Sequence, residues 1–531
     1  MNLNKFLAGV ALVATLASCS GKNEDKPTPK TPGTLTSLAL LASDNSDLTE
    51  DIVISDITSS APMIVRIEGG GKGKTLVATV TAGENDVITD GAGSVITNGK
   101  ISFDASYALD IIVRNTESKL STAYELKVGK ILKTVVTRLA SYYEANAETG
   151  MISNYAMAIN PADGLPYIAY MRKTTVDGVM ESNSLLSVVK WNPTSSKLEL
   201  VGDPGFPANA AATVKAPLFI GFDKNNTPEV VYGGGDVANL VSAKKFASGS
   251  WQDLGTPGFG EKYASGLITT EMYKNPVSGE FGFFLRNDIK NDTYRRCHAN
   301  MEFDGTSWVT KHSVLPGLQD GTNNAFYCAN GVNTASAAYV ITSCNGLGYS
   351  IYKNTDGNNW SVVVDNFLPE NTPSGVPYPM LRADKDGNLY AFVPMYTTSK
   401  MQMYKVDEAN STLIPYGNAF SAVFSSNGGN NEMPNMAINP VTSEIIAVKR
   451  DATLNRMQWT VLDPETKQWA AFNTIPEEGV DTKVAETATQ LVYNASGVAY
   501  LAYYLQTPVS GKTITSIELC KIGIEDDILP E

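Results

Sequence analysis

Beyond about residue 131 a unit of roughly 54 residues recurs, and no other feature constrains the fold of this chain as strongly. A large apolar residue opens a strand, in several copies with glycine four places on: Leu198 to Gly202, Trp251 to Gly255, Trp308, Trp360, Leu413 to Gly417 and Trp469. The intervals are 53, 57, 52, 53 and 56 residues. A hairpin with an apolar second strand recurs beside it, opening at Asn160, Asp223, Asn275, Ala335, Asp384, Asn439 and Asn494, seven times in all.

Four short strands per unit at this period predict a β-propeller, in which each sheet packs on its neighbours and the ring hides its edges. Seven hairpins are matched by only six copies of the Trp strand. The segment Leu132 to Leu139 lies about one period before Leu198, so it is read as the outer strand of the last sheet, joining the two ends of the repeat. Seven blades follow, with six or eight as the alternatives. The tryptophans, repeating at blade spacing, are expected to pack between adjacent sheets.

Ahead of the repeat, Thr34 to about Lys130 is rich in β-branched residues. Alternating runs such as Met63 to Ile67, Thr75 to Val80 and Ala108 to Val113 are separated by Gly, Asn and Asp turns. An antiparallel β-sandwich is expected. The chain is therefore all-β throughout its folded part.

The N-terminus reads as a targeting segment. Lys5 precedes the apolar run Phe6 to Ala17, too short for a comfortable membrane span, and Leu16-Ala17-Ser18-Cys19 follows. This is a lipobox, with Cys19 as the lipidated residue. Prolines at 27, 29 and 32 predict an extended tether. The division is then 1–18 signal peptide, 19–34 lipidated cysteine and tether, 35–130 sandwich, 131–531 propeller. Cys297, Cys328, Cys344 and Cys520 remain, and their pairing stays open.

With 43% apolar and 18% charged residues the chain is well able to build cores. A net charge of -14 without a basic block excludes nucleic acid as an expected partner, and membrane contact is assigned to the lipid alone. Ligand chemistry must be sought in loops. Residues just after the second strand of each unit matter most, and three units place an arginine there: Arg172, Arg286 and Arg450. The last two share register, 11 residues from Asn275 to Arg286 and from Asn439 to Arg450. Guanidinium forks at one face suit carboxylate or sulfate groups, although each could instead pair locally. Tyr143, Tyr263, Tyr378 and Tyr396, with Tyr142, Phe326, Tyr327, Tyr503 and Tyr504, supply rings for sugar faces, or finish the core.

Enzymatic signatures are poor. Near Trp360 a sialidase Asp-box would need Asp where Thr355 stands, and Asp356 is one residue late. The only histidines are His298, placed in an outer strand, and His312, placed after the Trp308 strand. Asp384-x-Asp386-Gly387-Asn388 lacks the distal Glu of a calcium loop and reads as a turn. No metal or cofactor is expected. Paired carboxylates for glycoside hydrolysis stay open, because a ring brings distant residues together.

The lipobox, the Lys22-x-Glu24-Asp25 segment, the sandwich and the seven-unit repeat together resemble the surface lipoproteins of Bacteroidota. In these an immunoglobulin-like domain spaces a propeller from the lipid anchor. The resemblance implies an outer-membrane protein facing the cell exterior that captures a glycan or a corrinoid without turning it over and hands it to a TonB-dependent transporter. An adhesin contacting host or bacterial proteins, and a propeller-type lyase or glycoside hydrolase, are the alternative readings. Cys19→Ala should abolish palmitate labelling and membrane retention; a variant that still fractionates with the membrane would overturn the lipobox reading.

Overall fold

The computed structural model describes residues 31–68, 70–130, 134–143, 151–176, 179–208, 218–233, 240–260, 272–286, 298–312, 315, 325–344, 348–369, 379–395, 398–423, 432, 434–464, 466–476, 482–485, 489–509 and 512–524. They form two compact units that part between residues 133 and 134.

The N-terminal unit is two four-stranded sheets around one core. One sheet orders its strands Ile52–Val53, Leu35–Leu40, Thr75–Ala82, Lys100–Asp104, and the other Met63–Ile67, Ser121–Lys130, Leu109–Asn115, Asp86–Asp90. Period-2 alternation drives this. Leu38, Leu40, Leu76, Ala78 and Val80 point inward to meet Val65, Ile67, Ile111, Val113, Leu126 and Val128. The expectation of a wholly antiparallel sandwich fails at one place: Met63–Ile67 runs parallel to Ser121–Lys130. Its partner strand follows it by more than 50 residues, so no hairpin dictates the direction.

In Thr134–Ile524 the described residues form seven successive antiparallel sheets, each a meander of four main strands. The first contains Met151–Ile159, Pro166–Val176, Val179–Asn192 and Lys197–Leu200, and the second Leu218–Phe222, Pro228–Gly233, Val241–Ala247 and Ser250–Asp253. The third has Tyr273–Lys274, Phe281–Arg286, His298–Phe303 and Trp308–His312; the fourth Ala325–Asn333, Ala338–Cys344, Gly348–Asn354 and Ser361–Phe367. Met380–Ala383, Leu389–Met395, Lys400–Asp407 and Thr412–Pro415 make the fifth, and Asn435–Ile438, Ile445–Asp451, Arg456–Val461 and Asn473–Thr474 the sixth. The seventh joins Gln490–Tyr493, Ala499–Val509 and Lys512–Ile524 to the early strand Thr134–Tyr142, which pairs antiparallel with Lys512–Ile524.

Every junction between consecutive sheets, the seventh with the first included, holds an apolar cluster. The sheets therefore close on themselves in a cycle. In sheets one to six the recurring large residue, in or just before the outer strand, faces the preceding sheet. Trp251 joins the cluster of sheets one and two, Trp308 that of two and three, and Trp360 that of three and four. Leu413, Trp469 and Leu198 repeat the arrangement at sheets four and five, five and six, and seven and one. Gly202 has φ of 73°, and a Cβ there would stand 3.2 Å from the Trp251 ring, so the next unit's indole closes over a bare backbone. Trp251 Nε1 donates to Val201 O at 2.7 Å.

The closing strand also brings partners for a buried acid. Glu518, 1% exposed, accepts from Ser141 Oγ at 2.7 Å and lies 3.7 Å from Arg138 Nε. A chain lacking Thr134–Tyr142 would leave that buried carboxylate with Ser516 Oγ in place of its cation and Ser141, and would open a sheet edge. We expect it to lose roughly 3–5 kcal/mol or more in denaturant melts; an unchanged midpoint would show that this strand is dispensable.

Candidate functional site

The antiparallel meander decides where each arginine goes. Second strands start at the turn that follows the first strand, so residues late in a second strand lie at the opposite end of the sheet. Arg172 pairs across to Ile152 and Leu185, Arg286 to His298, and Arg450 to Met457. All three backbones thus reach the same end of their sheets, on sheets one, three and six. The side chain of Arg286 lies outside the described residues.

Alternation then separates the roles of neighbours. Ile446 and Val448 face the seventh sheet, and Arg450 follows in that series. Its Nε donates to Val484 O at 2.9 Å and its Nη2 to Asn455 Oδ1; the residue is 5% exposed. Lys449 points the other way, to Ser421 O at 2.9 Å and Glu432 Oε2 at 3.0 Å, with its ammonium 5.1 Å over the Phe472 ring. This buried pair escaped the sequence reading, although a Lys-Arg doublet on a strand flanked by two sheets must send one cation to each side.

Arg172 belongs to the opposite series on the first sheet. Ile168 and Tyr170 face the seventh sheet, and Arg172 is the next residue on that face. Tyr170 and Tyr142 meet there, ring centroids 5.8 Å apart, with Tyr170 Oη donating to Tyr142 Oη at 3.2 Å. Tyr155 packs at a tilt on Tyr504, ring centroids 4.2 Å apart, deeper in the same seam. Tyr143, directly after the closing strand, is 54% exposed. The structure therefore brings the faces that carry Arg172, Tyr142 and Tyr170 to one junction, with Tyr143 next in the chain after Tyr142, while Arg450 lies across the seventh sheet from them. Cys19, Tyr263, Tyr378 and Tyr396 fall outside the described residues, as do the side chains of Phe326, Tyr327, Cys328 and Cys344.

Other expectations shift in detail. His298 opens the third strand of its sheet rather than an outer one, and its side chain is not among those described. His312 ends the Trp308 strand instead of following it, with Nε2 2.9 Å from Asn358 O. Asp384 caps its own turn, accepting from the amides of Asp386 and Asn388. Arg382, on a first strand, went unnoticed because nothing at that place repeats. Its guanidinium donates to Met436 O, Leu381 O, Asn330 Oδ1 and Asn435 Oδ1 at 2.8 to 3.2 Å, bridging sheets four, five and six.

No protein-family model and no curated protein matches the chain. Among solved structures it is similar to a protein of unknown function from Dyadobacter fermentans, with 13% identity over 73% of this chain and 99% of that one, TM-score 0.38. It is also similar to a quinonprotein alcohol dehydrogenase-like protein from Bacteroides thetaiotaomicron, at 12% identity, 79% and 94% coverage and TM-score 0.37. The lectin of Aleuria aurantia, solved with Fucα1-6GlcNAc, aligns at 12% identity, 60% and 96% coverage and TM-score 0.36. Likenesses this distant say nothing about a ligand.

One titratable group lies at the turn end of the sheets. Glu229, 3% exposed, starts near the hairpin of the second sheet. Burial pushes its carboxyl up to about 7, and Asp223 and Glu280 add to the rise against Lys245 and Lys274. Below pH 4.5 the group is protonated in folded and unfolded chains alike. Between 4.5 and about 7 only the folded chain keeps the proton, so stability falls as pH rises, and above 7 the loss is complete. Glu229→Gln should flatten that slope and be more stable than the parent at pH 8 by on the order of 2–3 kcal/mol. Urea melts at pH 5 and pH 8 measure it; equal slopes would refute the assignment.

Proposed function

We propose that this chain is a cell-surface lipoprotein, anchored to the outer membrane through Cys19, that captures an extracellular glycan and passes it to a TonB-dependent transporter without turning it over. In this reading the N-terminal sandwich is an immunoglobulin-like spacer and the cycle of sheets is a seven-bladed β-propeller. The seven apolar junctions, the last of which joins the seventh sheet to the first, support the second assignment.

The observation that carries the binding role is the junction of sheets seven and one. There Tyr142 packs at a tilt on the buried Tyr170, Arg172 follows Tyr170 on the same face of its strand, and the exposed Tyr143 follows Tyr142 in the chain. Tyrosine offers a sugar an apolar face and a hydroxyl, and a guanidinium recognises carboxylate or sulfate through paired donors. Acidic glycans are therefore the first class to test. Arg286 reaches the same end of its own sheet. Arg450 serves this face indirectly, by holding Val484 and Asn455 in place.

A glycan array with the purified ectodomain, followed by calorimetry and product analysis on each hit, tests the proposal. Arg172→Ala and Tyr143→Ala should each weaken an acidic-glycan hit about tenfold to a hundredfold. A hit that binds both variants as it binds the parent would sink the site. Cleaved product would replace capture by catalysis, and binding to cells or proteins alone would favour an adhesin.

A further inference from the structure

At the turn end of the sheets, remote from Arg172, the first strands of sheets seven, one, two and three converge on a cavity of about 320 Å³. Such a volume lies in the range that holds small organic ligands. Its wall is mostly apolar, with Ile159, Phe222, Met272 and Phe281, and carries the polar groups of Gln490 and Tyr493. Into this wall comes one cation. Lys274 lines the cavity, and its ammonium stands 5.5 Å from the centre of the Phe281 ring.

The backbone of Lys274 is clamped by Asn333. Its N–H donates to Asn333 Oδ1 at 2.8 Å, and Asn333 Nδ2 donates to its carbonyl at 2.7 Å. Among the described residues no carboxylate sits within ion-pair distance of the Lys274 ammonium. The nearby Glu280 is taken by Lys224 at 3.5 Å. Glu229, whose carboxyl burial raises to about 7, lies within electrostatic reach of the lysine but makes no ion pair with it. A lone ammonium at the lip of an apolar cavity lacks the one partner that would repay its partial desolvation: an anion whose body the wall can bury.

We propose that this cavity binds a small aryl or alicyclic carboxylate, its anionic head on Lys274 Nζ and its ring against Phe281, Met272 and Phe222. The site is independent of the glycan face. Arg172 pairs with Ile152, whereas the cavity takes residues from Ala156 onward on the same strand, so the two lie at different ends of the first sheet.

Calorimetry on the full chain with 2-naphthylacetate, its neutral amide and glucuronate tests it. The acid should bind saturably at one site, and both the amide and glucuronate should bind at least tenfold more weakly, the first for want of charge and the second for want of an apolar body. Lys274→Met keeps the stem and removes the charge, so it should erase the preference for acid over amide, and Lys274→Arg should restore it. Arg172→Ala should leave the affinities for the acid and its amide unchanged. The proposal is overturned if the parent shows no saturable binding of naphthylacetate, if acid and amide bind alike, if Lys274→Met keeps the preference, or if Arg172→Ala removes the binding.

Discussion

Each sheet of the Thr134–Ile524 unit is apolar on both faces, and everything else in that unit depends on covering both. A stack would leave two faces wet. A cycle leaves none, provided that the seventh sheet packs on the first, and this it does through Tyr155, Met157, Ile168 and Tyr170 against Tyr500, Ala502, Tyr504 and Leu519. The outer strands lock the arrangement with an indole or leucine against the preceding sheet; aromatic contacts such as Phe259 on Trp308, stacked at 5.0 Å, each add roughly 0.5–1.5 kcal/mol beyond area burial.

What was legible in the sequence was what this constraint repeats. Trp251, Trp308, Trp360 and Trp469 recur because each fills the same place between sheets, and the seven turns recur because each must reverse the chain within a few residues. Leu132 to Leu139 could be read as a closing strand since the count of outer strands was one short. Polar chemistry did not repeat, so it stayed hidden. The carbonyl that takes Arg450 Nε belongs to Val484, 34 residues on and in the next sheet, and no spacing rule announces it. Glu229 and Glu280 look alike in sequence, yet one is buried and the other paired with Lys224. The parallel strand pair in the N-terminal unit was missed for a related reason, since alternation tells which residues face inward but not which way a strand runs.

The two ends of the sheets have come to carry different chemistry. The end reached late in the second strands collects the guanidinium groups of Arg172 and Arg450 and the hydroxyls of Tyr142 and Tyr170. At the turn end the reversals are tight, Asn and Asp side chains cap them, and Asn494 Nδ2 reaches across to Gly164 O at 3.2 Å, tying the seventh turn to the first. Tight turns leave the first strands close together, and an apolar cavity with a single lysine is what their converging side chains enclose.

The ladder between Thr134–Tyr142 and Lys512–Ile524 also bears on how such a chain is made. Arg138 stands in register with Cys520, so the two strands that finish the seventh sheet are parted by nearly the whole unit. A ribosome delivers the first of them early and its partner last. Sheets one to six are local meanders that can form as they emerge, whereas the seventh must await the final strand and bear the entropy of joining distant segments. The unit is therefore completed only when the final strand docks. A chain cut short before Lys512 would hold six formed sheets, an orphaned strand at one end and two uncovered apolar faces, the kind of exposed surface that drives incomplete folds to aggregate.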